Sequence, residues 1–248
     1  MEPIRSPRNR AVVEAGRLHR VLDRRRAGKT LIEGPHLLDE ALGAGVEVER
    51  TFHLPDDPEA NRWPSATPVD QAVLEKLAGT ESPRGPIAVI AIPPPHPIPT
   101  DRSVIVLWGV ADPGNVGTII RSAAAFGLGV AVGPFTADPW APKVLRAGAG
   151  GHFRTPLSTV ASPADLAGLR VAATVPSGGI APARLERGVW AVLIGSEAHG
   201  LDPALVAHAT VGVTIPMPGE TESLNAAVAA SIIAYALVIG SGASPSDH

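Results

Sequence analysis

Residues 104–134 decide the fold, and they read VIVLWGVADPGNVGTIIRSAAAFGLGVAVGP. The stretch contains an apolar run at 104–107, a helical pattern at 115–126 and a second apolar run at 129–132. Continuous apolar strands joined through a helix are typical of a parallel sheet that is covered on both faces. The pattern therefore predicts an α/β fold with a mostly parallel sheet.

The same alternation continues on both sides of this stretch. Towards the C-terminus, strands are predicted at 171–175, 190–194 and 211–215, and a final buried helix at 223–239. Before it, residues 31–92 have the pattern of a small α/β domain, and 10–27 read as one basic helix. Five prolines between 93 and 99 predict a stiff linker. We therefore expect a basic segment at 1–30, a small domain at 31–92, a linker at 93–100 and a second domain at 101–248.

Composition excludes several classes of protein. The chain has 248 residues, 45% of them hydrophobic, and no cysteine. That is enough to bury a core, and it leaves no disulfide, thiolate metal site or cysteine nucleophile. His199 and His208 lack acidic partners at metal-ligand spacing, so no metal is expected. The first 30 residues hold no apolar leader, and 226–240 is too short to span a membrane, which favours a cytoplasmic protein.

Charge is distributed unevenly. Residues 1–30 hold nine basic and three acidic side chains, a net charge of +6, whereas the whole chain carries −3. A basic segment on an acidic body indicates a polyanionic partner such as RNA. A solvated charged helix face is the alternative interpretation of the same pattern.

Three polar, glycine-containing loops follow predicted strands, where open α/β sheets bind ligands. They lie at 112–117, 195–200 and 216–225. None contains the dinucleotide fingerprint G-x-G-x-x-G, the P-loop or the G-x-S-x-G nucleophile elbow. Asn115 and Ser223 are also good residues to cap the helices that the pattern begins near them.

These loops carry a family resemblance. Three segments resemble, in order, the three motifs of the SpoU/TrmH RNA 2′-O-ribose methyltransferases of the SPOUT superfamily: Asn115-Val116-Gly117-Thr118-Ile119-Ile120-Arg121-Ser122-Ala123, Ile194-Gly195-Ser196-Glu197-Ala198-His199-Gly200-Leu201, and Ile215-Pro216-Met217 with Ser223-Leu224-Asn225-Ala226-Ala227-Val228-Ala229. All three together are highly specific. In the first half, 31–35 and 82–88 resemble the family's substrate-binding domain.

The resemblance implies a trefoil-knotted SPOUT domain that binds S-adenosyl-L-methionine, and it assigns roles to individual residues. The implied catalytic residues are Asn115, Arg121, Glu197, Ser223 and Asn225. The implied cofactor-binding residues are Thr174, Gly195, Gly200, Ile215, Met217 and Leu224. A guanidinium keeps its proton in proteins, so Arg121 is a poor candidate for the base, and a phosphate fork or a donor to the 2′-oxygen is preferred. RNA contacts are expected from Arg24, Arg25, Arg146 and Arg154.

The sequence therefore predicts a homodimeric, S-adenosylmethionine-dependent enzyme that methylates a ribose 2′-hydroxyl in RNA. The two-domain layout favours 23S ribosomal RNA. The alternatives are a tRNA ribose methyltransferase, a non-catalytic RNA-binding assembly factor on the same fold, and a nucleotide-binding α/β protein of another kind. The apolar last helix and the placement of Arg121 and Asn225 on different loops motivate the dimer.

Overall fold

The structure, a computed structural model, describes residues 2–80, 83, 85–196, 198–219 and 223–240. The strands are β1 (Lys29–Glu33), β2 (Val48–His53), β3 (Ala66–Pro68), β4 (Ile87–Ala91), β5 (Val104–Leu107), β6 (Gly129–Val132), β7 (Leu157–Thr159), β8 (Arg170–Thr174), β9 (Trp190–Ile194) and β10 (Val211–Val213). The α-helices are α1 (Arg10–Arg17), α2 (Val21–Ala27), α3 (Pro35–Gly43), α4 (Gln71–Leu77), α5 (Pro113–Ala125), α6 (Pro142–Gly148), α7 (Pro203–Val206) and α8 (Ala226–Gly240).

The described residues divide into two compact units. The first unit takes the residues up to Pro94 together with Asp138–Phe153, and the second takes Pro95–Ala137 and the residues from Arg154 onward. The sequence places Asp138–Phe153 inside the domain 101–248, so this assignment differs from the prediction. The physical reason is apolar packing, because Leu145 of α6 is fully buried in the core of the first unit.

The first unit is a four-stranded sheet, in the order β1-β4-β2-β3, with a hydrophobic core on each face. Successive side chains of a strand point to opposite faces. Leu31 of β1 accordingly lies in the core that α1 and α4 cover, and Ile32 lies in the core that α3 and α6 cover. The expected small α/β domain is present, and its sheet is mixed.

The basic N-terminal segment is part of this unit. Residues 10–27 form the two helices α1 and α2 instead of one. The guanidinium of Arg24 ties the turn between them, since it donates to the carbonyl oxygens of Leu18 and His19 at 2.8 and 2.9 Å. Arg24 also pairs with Asp138 at 2.6 Å and is 3% exposed. The prediction that Arg24 contacts RNA is therefore wrong, because its donors are already used inside the fold.

The second unit is built on a six-stranded sheet in the order β10-β8-β9-β5-β6-β7, and its strand pairs are parallel. Val104 and Val106 of β5 lie in a core with Ala131 and Leu193. Their neighbours Ile105 and Leu107 are equally buried and point to the opposite face. Both faces of the sheet are therefore covered, which confirms the predicted architecture.

The last helix, α8, is only half buried. Ala227, Ala230 and Ile233 are buried, and α8 lies against α5, where Ser122 and Ser231 share a hydrogen bond of 2.8 Å. The other side exposes large apolar side chains at helical spacing: Val228, Ile232, Tyr235 and Ile239. The prediction of a buried helix is therefore wrong for this apolar stripe of α8. None of the helices in the described ranges combines the length and apolar character that crossing a bilayer requires.

His152 is a buried histidine in the segment 138–153, and its pKa reports how well this segment is packed. Its Nε2 donates to the Pro139 carbonyl oxygen at 2.9 Å, and its ring lies 5.6 Å from that of Trp140. Burial lowers the pKa of the imidazole from 6.5 to about 4, although the bond to Pro139 acts in the opposite direction. The folded chain therefore keeps His152 neutral under conditions in which the unfolded chain protonates it.

We predict that this packing makes stability depend on pH. The contribution of His152 is complete above pH 6.5 and falls by about 3 kcal/mol as the pH drops towards 4. Urea unfolding between pH 7 and 4.5 should show a steeper loss for the wild type than for His152→Gln. His208→Gln, at an exposed position, should keep the wild-type slope. Parallel curves for the wild type and His152→Gln would contradict the burial argument.

Candidate active site

The carboxyl ends of the parallel strands β9, β5 and β6 lie side by side at one edge of the second sheet. The loops that follow them come close to each other at Gly109. Its amide donates to the Pro134 carbonyl oxygen at 3.0 Å, and a Cβ added to it would lie 3.5 Å from the Cβ of Ser196. Strand pairing therefore brings loops that are distant in sequence to a common edge.

Asp112 fixes the start of α5. Its carboxylate accepts a hydrogen bond from the backbone amide of Asn115 at 2.8 Å, so Asp112 is the N-cap residue. The prediction that Asn115 caps this helix is wrong, because Asn115 lies one turn further on, inside the helix. Sequence reasoning missed Asp112, although an acidic residue directly before Pro-Gly at a helix start is a recognisable capping signal.

Asn225 connects the first and third loops. Its Oδ1 accepts hydrogen bonds from the amides of Ala227 and Val228 at 2.9 and 3.3 Å, so Asn225, and not Ser223, caps α8. This cap directs the Nδ2 group away from the helix, and Nδ2 donates to Oδ1 of Asn115 at 3.0 Å. The structure thus joins two of the predicted catalytic residues, 110 positions apart, in one amide pair.

Arg121 and Ser223 are exposed, and Glu197 lies outside the described residues. Six helical residues separate Arg121 from Asn115, which places it about 9 Å along the axis and about 120° around it. Within the described part of the chain, Arg121 has no hydrogen-bond or ion-pair partner. Among the described residues, no hydrogen bond or ion pair joins Arg121 to the asparagine pair of its own chain.

The loop after β9 is a tight backbone turn. Ser196 and Gly200 exchange two backbone hydrogen bonds of 3.1 and 2.9 Å. A Cβ on Gly195 would lie closer than van der Waals contact to the backbone of Gly200 and Leu201. Glycine is therefore required at 195, because the backbone there packs directly against the backbone of this turn and leaves no room for a side chain.

The remaining residues assigned to the cofactor lie at the end of β8 and in the loop that follows β10. Thr174 ends β8, and its hydroxyl donates to the Leu193 carbonyl oxygen at 2.9 Å. Ile215, Met217 and Leu224 are half-buried in the third loop. Partly buried apolar side chains can pack against the adenine ring and the methionine chain of the cofactor, and the polar backbone of a loop can hydrogen-bond its polar atoms. The residues present therefore fit S-adenosylmethionine.

The four arginines assigned to RNA have different environments. Arg24 is buried, as described above. Arg146 donates to the Gly79 carbonyl oxygen at 3.1 Å and lies 3.5 Å from a carboxylate oxygen of Glu33, so its charge is partly compensated. Arg25 and Arg154 are exposed. Among the described residues, no group of three or more His, Cys, Asp or Glu is arranged to hold a metal ion.

Comparison with known proteins gives two family matches. The SpoU rRNA Methylase family matches residues 102–235, and the MRM3-like substrate binding domain matches residues 9–88. The 23S rRNA (guanosine(2553)-2′-O)-methyltransferase RlmP of Bacillus subtilis is 32% identical, over 96% of this chain and 99% of that protein. The 23S rRNA (uridine(2479)-2′-O)-methyltransferase of Streptomyces viridochromogenes is 31% identical, over 87% and 84%.

Solved structures agree with these matches. The SpoU methyltransferase AviRb from Streptomyces viridochromogenes, in complex with the cofactor AdoMet, is 28% identical with a TM-score of 0.82, over 94% of this chain and 98% of that one. An AdoMet-bound rRNA methyltransferase from Sinorhizobium meliloti is 25% identical with a TM-score of 0.85, over 95% and 97%. The chain belongs to the SpoU rRNA methylase family, and the expected S-adenosylmethionine-dependent RNA 2′-O-methyltransferase with an N-terminal substrate-binding domain is confirmed at the level of the family.

Proposed function

We propose that this protein transfers a methyl group from S-adenosylmethionine to the 2′-hydroxyl of a ribose in 23S ribosomal RNA. The observation that carries the proposal is the Asn115–Asn225 amide pair, which lies at the strand ends of a family domain beside cofactor-compatible loops. RlmP and the Streptomyces viridochromogenes enzyme support the choice of 23S RNA by their names. A tRNA substrate and a non-catalytic assembly factor are the alternatives that the test below separates.

S-adenosylmethionine, when bound, supplies a methyl group on a positively charged sulfur. The protein's own contribution is position and charge. The amide pair fixes the side chains of Asn115 and Asn225 at the N-terminus of α8, where Ser223 and Asn225 can orient the ribose. Arg121 carries a permanent positive charge, so it can fix an RNA phosphate or stabilise the oxygen as its proton leaves, but it cannot easily accept that proton.

The proposed activity has a direct chemical test. Purified protein, deproteinised ribosomal RNA and tRNA are incubated separately with methyl-labelled S-adenosylmethionine, and the RNA is digested to nucleosides. We expect label on the ribose of a nucleoside from 23S RNA. Label in tRNA alone would favour the tRNA alternative, and cofactor-independent RNA binding without label would favour an assembly factor. Label on a base would contradict the proposal.

The asparagine pair can be tested apart from the helix cap. Asn225→Asp keeps an N-cap oxygen but removes the Nδ2 donor that faces Asn115. We expect methyl transfer to fall by about two or more orders of magnitude, because the ribose is then no longer held in position. Asn225→Ala should lose a similar amount of activity and about 1 kcal/mol of stability.

The matched control is Asn9, whose side chain caps α1 through the Ala11 amide at 2.9 Å. Asn9→Ala should lose similar stability in urea unfolding and keep its rate of methyl transfer. Near-normal turnover of Asn225→Asp would remove the amide pair from the catalytic machinery.

We further propose that the enzyme is a homodimer whose active sites are shared. The apolar stripe of α8 leaves four large side chains exposed, more than a lone helix face usually shows to water. The ring of Tyr235 lies 5.9 Å from that of Phe126, the residue that follows α5, so the stripe adjoins the C-terminal end of that helix. Arg121 lies on that helix away from its own amide pair. A two-fold dimer through α5 and α8 would carry Arg121 towards the partner's site.

Complementation tests the shared site. Arg121→Ala and Asn225→Ala chains, each inactive alone, are refolded together in equal amounts. If Arg121 acts in the partner's site, half of the dimers are mixed and each has one intact site, so activity returns to about a quarter of the wild type. Inactive mixed dimers, verified by differential tags, would contradict the arrangement.

We propose that the exposed arginines of the basic segment contact RNA phosphates. Arg17, Arg20, Arg25 and Arg26 are exposed on α1, α2 and the turn between them. Deleting the segment would not test this role, because Val12, Ala15 and Leu18 belong to the core. Substitution of the arginines alone preserves that core.

Salt dependence measures how many phosphates these arginines neutralise. Arg25→Gln with Arg26→Gln should weaken binding of deproteinised 23S RNA and lower the slope of log affinity against log salt by about 0.7 to 0.9 for each phosphate that is no longer neutralised. Arg184→Gln with Arg187→Gln removes the same charge at exposed positions of the second unit and should keep the wild-type slope. Equal slopes for the two double variants would show that the segment makes no specific phosphate contact.

The family's remaining features are proposals of the same kind. We propose that the C-terminal part forms the trefoil knot. The proposal is supported by the position of β10 at the edge of the sheet and by the contact of the following helix, α8, with α5. A cytoplasmic location fits an RNA-modifying enzyme, and the predicted linker at 93–100 contains the division between the two units at Pro94 and Pro95.

A further inference from the structure

Phe135 is an aromatic side chain that folding leaves uncovered. It lies in the loop that follows β6, and 89% of it is exposed. Its φ of 59° places it in the left-handed region, where side chains other than glycine, asparagine and aspartate are rare. A large apolar residue gains nothing for stability in that position, because it is neither buried nor relaxed. Strained backbone with no structural benefit is typical of functional positions.

The loop holds Phe135 firmly. The amide of Gly133 donates to the Leu107 carbonyl oxygen at 2.8 Å, and the amide of Ala137 donates to that of Val110 at 2.9 Å. The hydroxyl of Thr136 also donates to the Leu107 carbonyl oxygen, at 3.1 Å. These bonds fasten both sides of Phe135 to the end of β5. The ring is therefore presented to solvent from a rigid base.

The place of this loop connects it with the candidate active site. β6 is the parallel neighbour of β5, so residues 133–137 emerge at the sheet edge that carries the other loops. Val110, which accepts the bond from Ala137, lies two residues before Asp112, the cap of the helix that holds Asn115. The loop of Phe135 is thus bound to the segment that leads from β5 into the first loop, on the side of β5 away from β9.

We propose that Phe135 is a substrate-binding residue that stacks on an unpaired base of the RNA, close to the ribose that is methylated. The inference rests on the proposed function and adds a contact that selects single-stranded RNA. Sequence-specific RNA recognition uses bases that are splayed out of helices and stacked on aromatic side chains. Base stacking needs one exposed, rigidly oriented ring, which is the arrangement at Phe135.

A protein partner fits this site less well. Protein interfaces have an apolar centre made by several neighbouring side chains. The apolar stripe of α8 has that character, whereas Phe135 stands between the half-exposed Pro134 and Thr136. The single ring therefore matches a nucleobase better than a protein surface.

Four variants distinguish the effect of base stacking from that of an apolar side chain and from that of backbone strain at position 135. Phe135→Tyr and Phe135→Trp retain an aromatic face, Phe135→Leu retains apolar bulk without that face, and Phe135→Gly relieves the backbone. The dissociation constant for deproteinised 23S RNA is measured by filter binding, together with the KM for RNA, kcat, cofactor affinity and the melting temperature. Binding of RNA does not require turnover, so a failure of the proposed methyl transfer in the wild type would be read separately.

We expect Phe135→Leu and Phe135→Gly to raise the dissociation constant and KM for RNA by about 10- to 100-fold. Cofactor affinity should stay at the wild-type value, and the aromatic variants should bind RNA within about 3-fold of the wild type. Phe135→Gly should also melt at a temperature equal to or above that of the wild type, since glycine adopts this φ without strain. RNA affinity of Phe135→Leu equal to that of the wild type would overturn the inference. A dimeric wild type together with a monomeric Phe135→Leu variant would also overturn the inference, because Phe135 would then make a protein contact.

Discussion

The site depends on the parallel pairing of β5 with β9 on one side and with β6 on the other. Parallel strands end at the same edge of their sheet, so each loop that leaves this edge enters the same small volume. The pairing is covered on both faces by apolar side chains, and this burial keeps the edge rigid. The chemistry that we propose requires that rigidity, because a methyl transfer depends on alignment more than on any reactive side chain.

Asn225 shows how one residue serves both the fold and the site. Its oxygen caps α8, and its nitrogen holds Asn115 on α5. The cap gives the carboxamide a defined orientation, and that orientation determines where the donor points. The same helix exposes an apolar stripe and contacts α5 through Ser231, so the elements that hold the amide pair are also those that would form the dimer. In the proposed dimer, site geometry and assembly would therefore be coupled through α8.

Much of this could be predicted from the sequence. The apolar runs predicted the parallel sheet, because strands buried on both faces lose the alternation of a half-exposed strand. The three motifs placed Asn115 and Asn225 in one site before their hydrogen bond was visible. Sequence did not reveal that Asp112 and Asn225 are the caps, since several neighbouring polar residues have similar capping preferences.

Two long-range contacts of the first unit were beyond prediction. Arg24 reads as one basic residue in a run of three, and the sequence does not show its pairing with Asp138, 114 positions away. Leu145 packs with the N-terminal sheet for a similar reason, because a hydrophobic helix pattern does not say which core it joins. Phe135 could have been suspected from its position after a strand, but its exposure and backbone angle are properties of the folded loop.

The most direct test of the central claim is a map of 2′-O-methyl groups in 23S ribosomal RNA at single-nucleotide resolution. The RNA is taken from cells that lack the protein and is mapped by resistance to alkaline cleavage, before and after incubation with the enzyme and S-adenosylmethionine. The account predicts a new resistant linkage at one ribose, which is absent when Asn225→Asp replaces the wild type. An unchanged map under conditions in which the wild type binds both cofactor and RNA would contradict it.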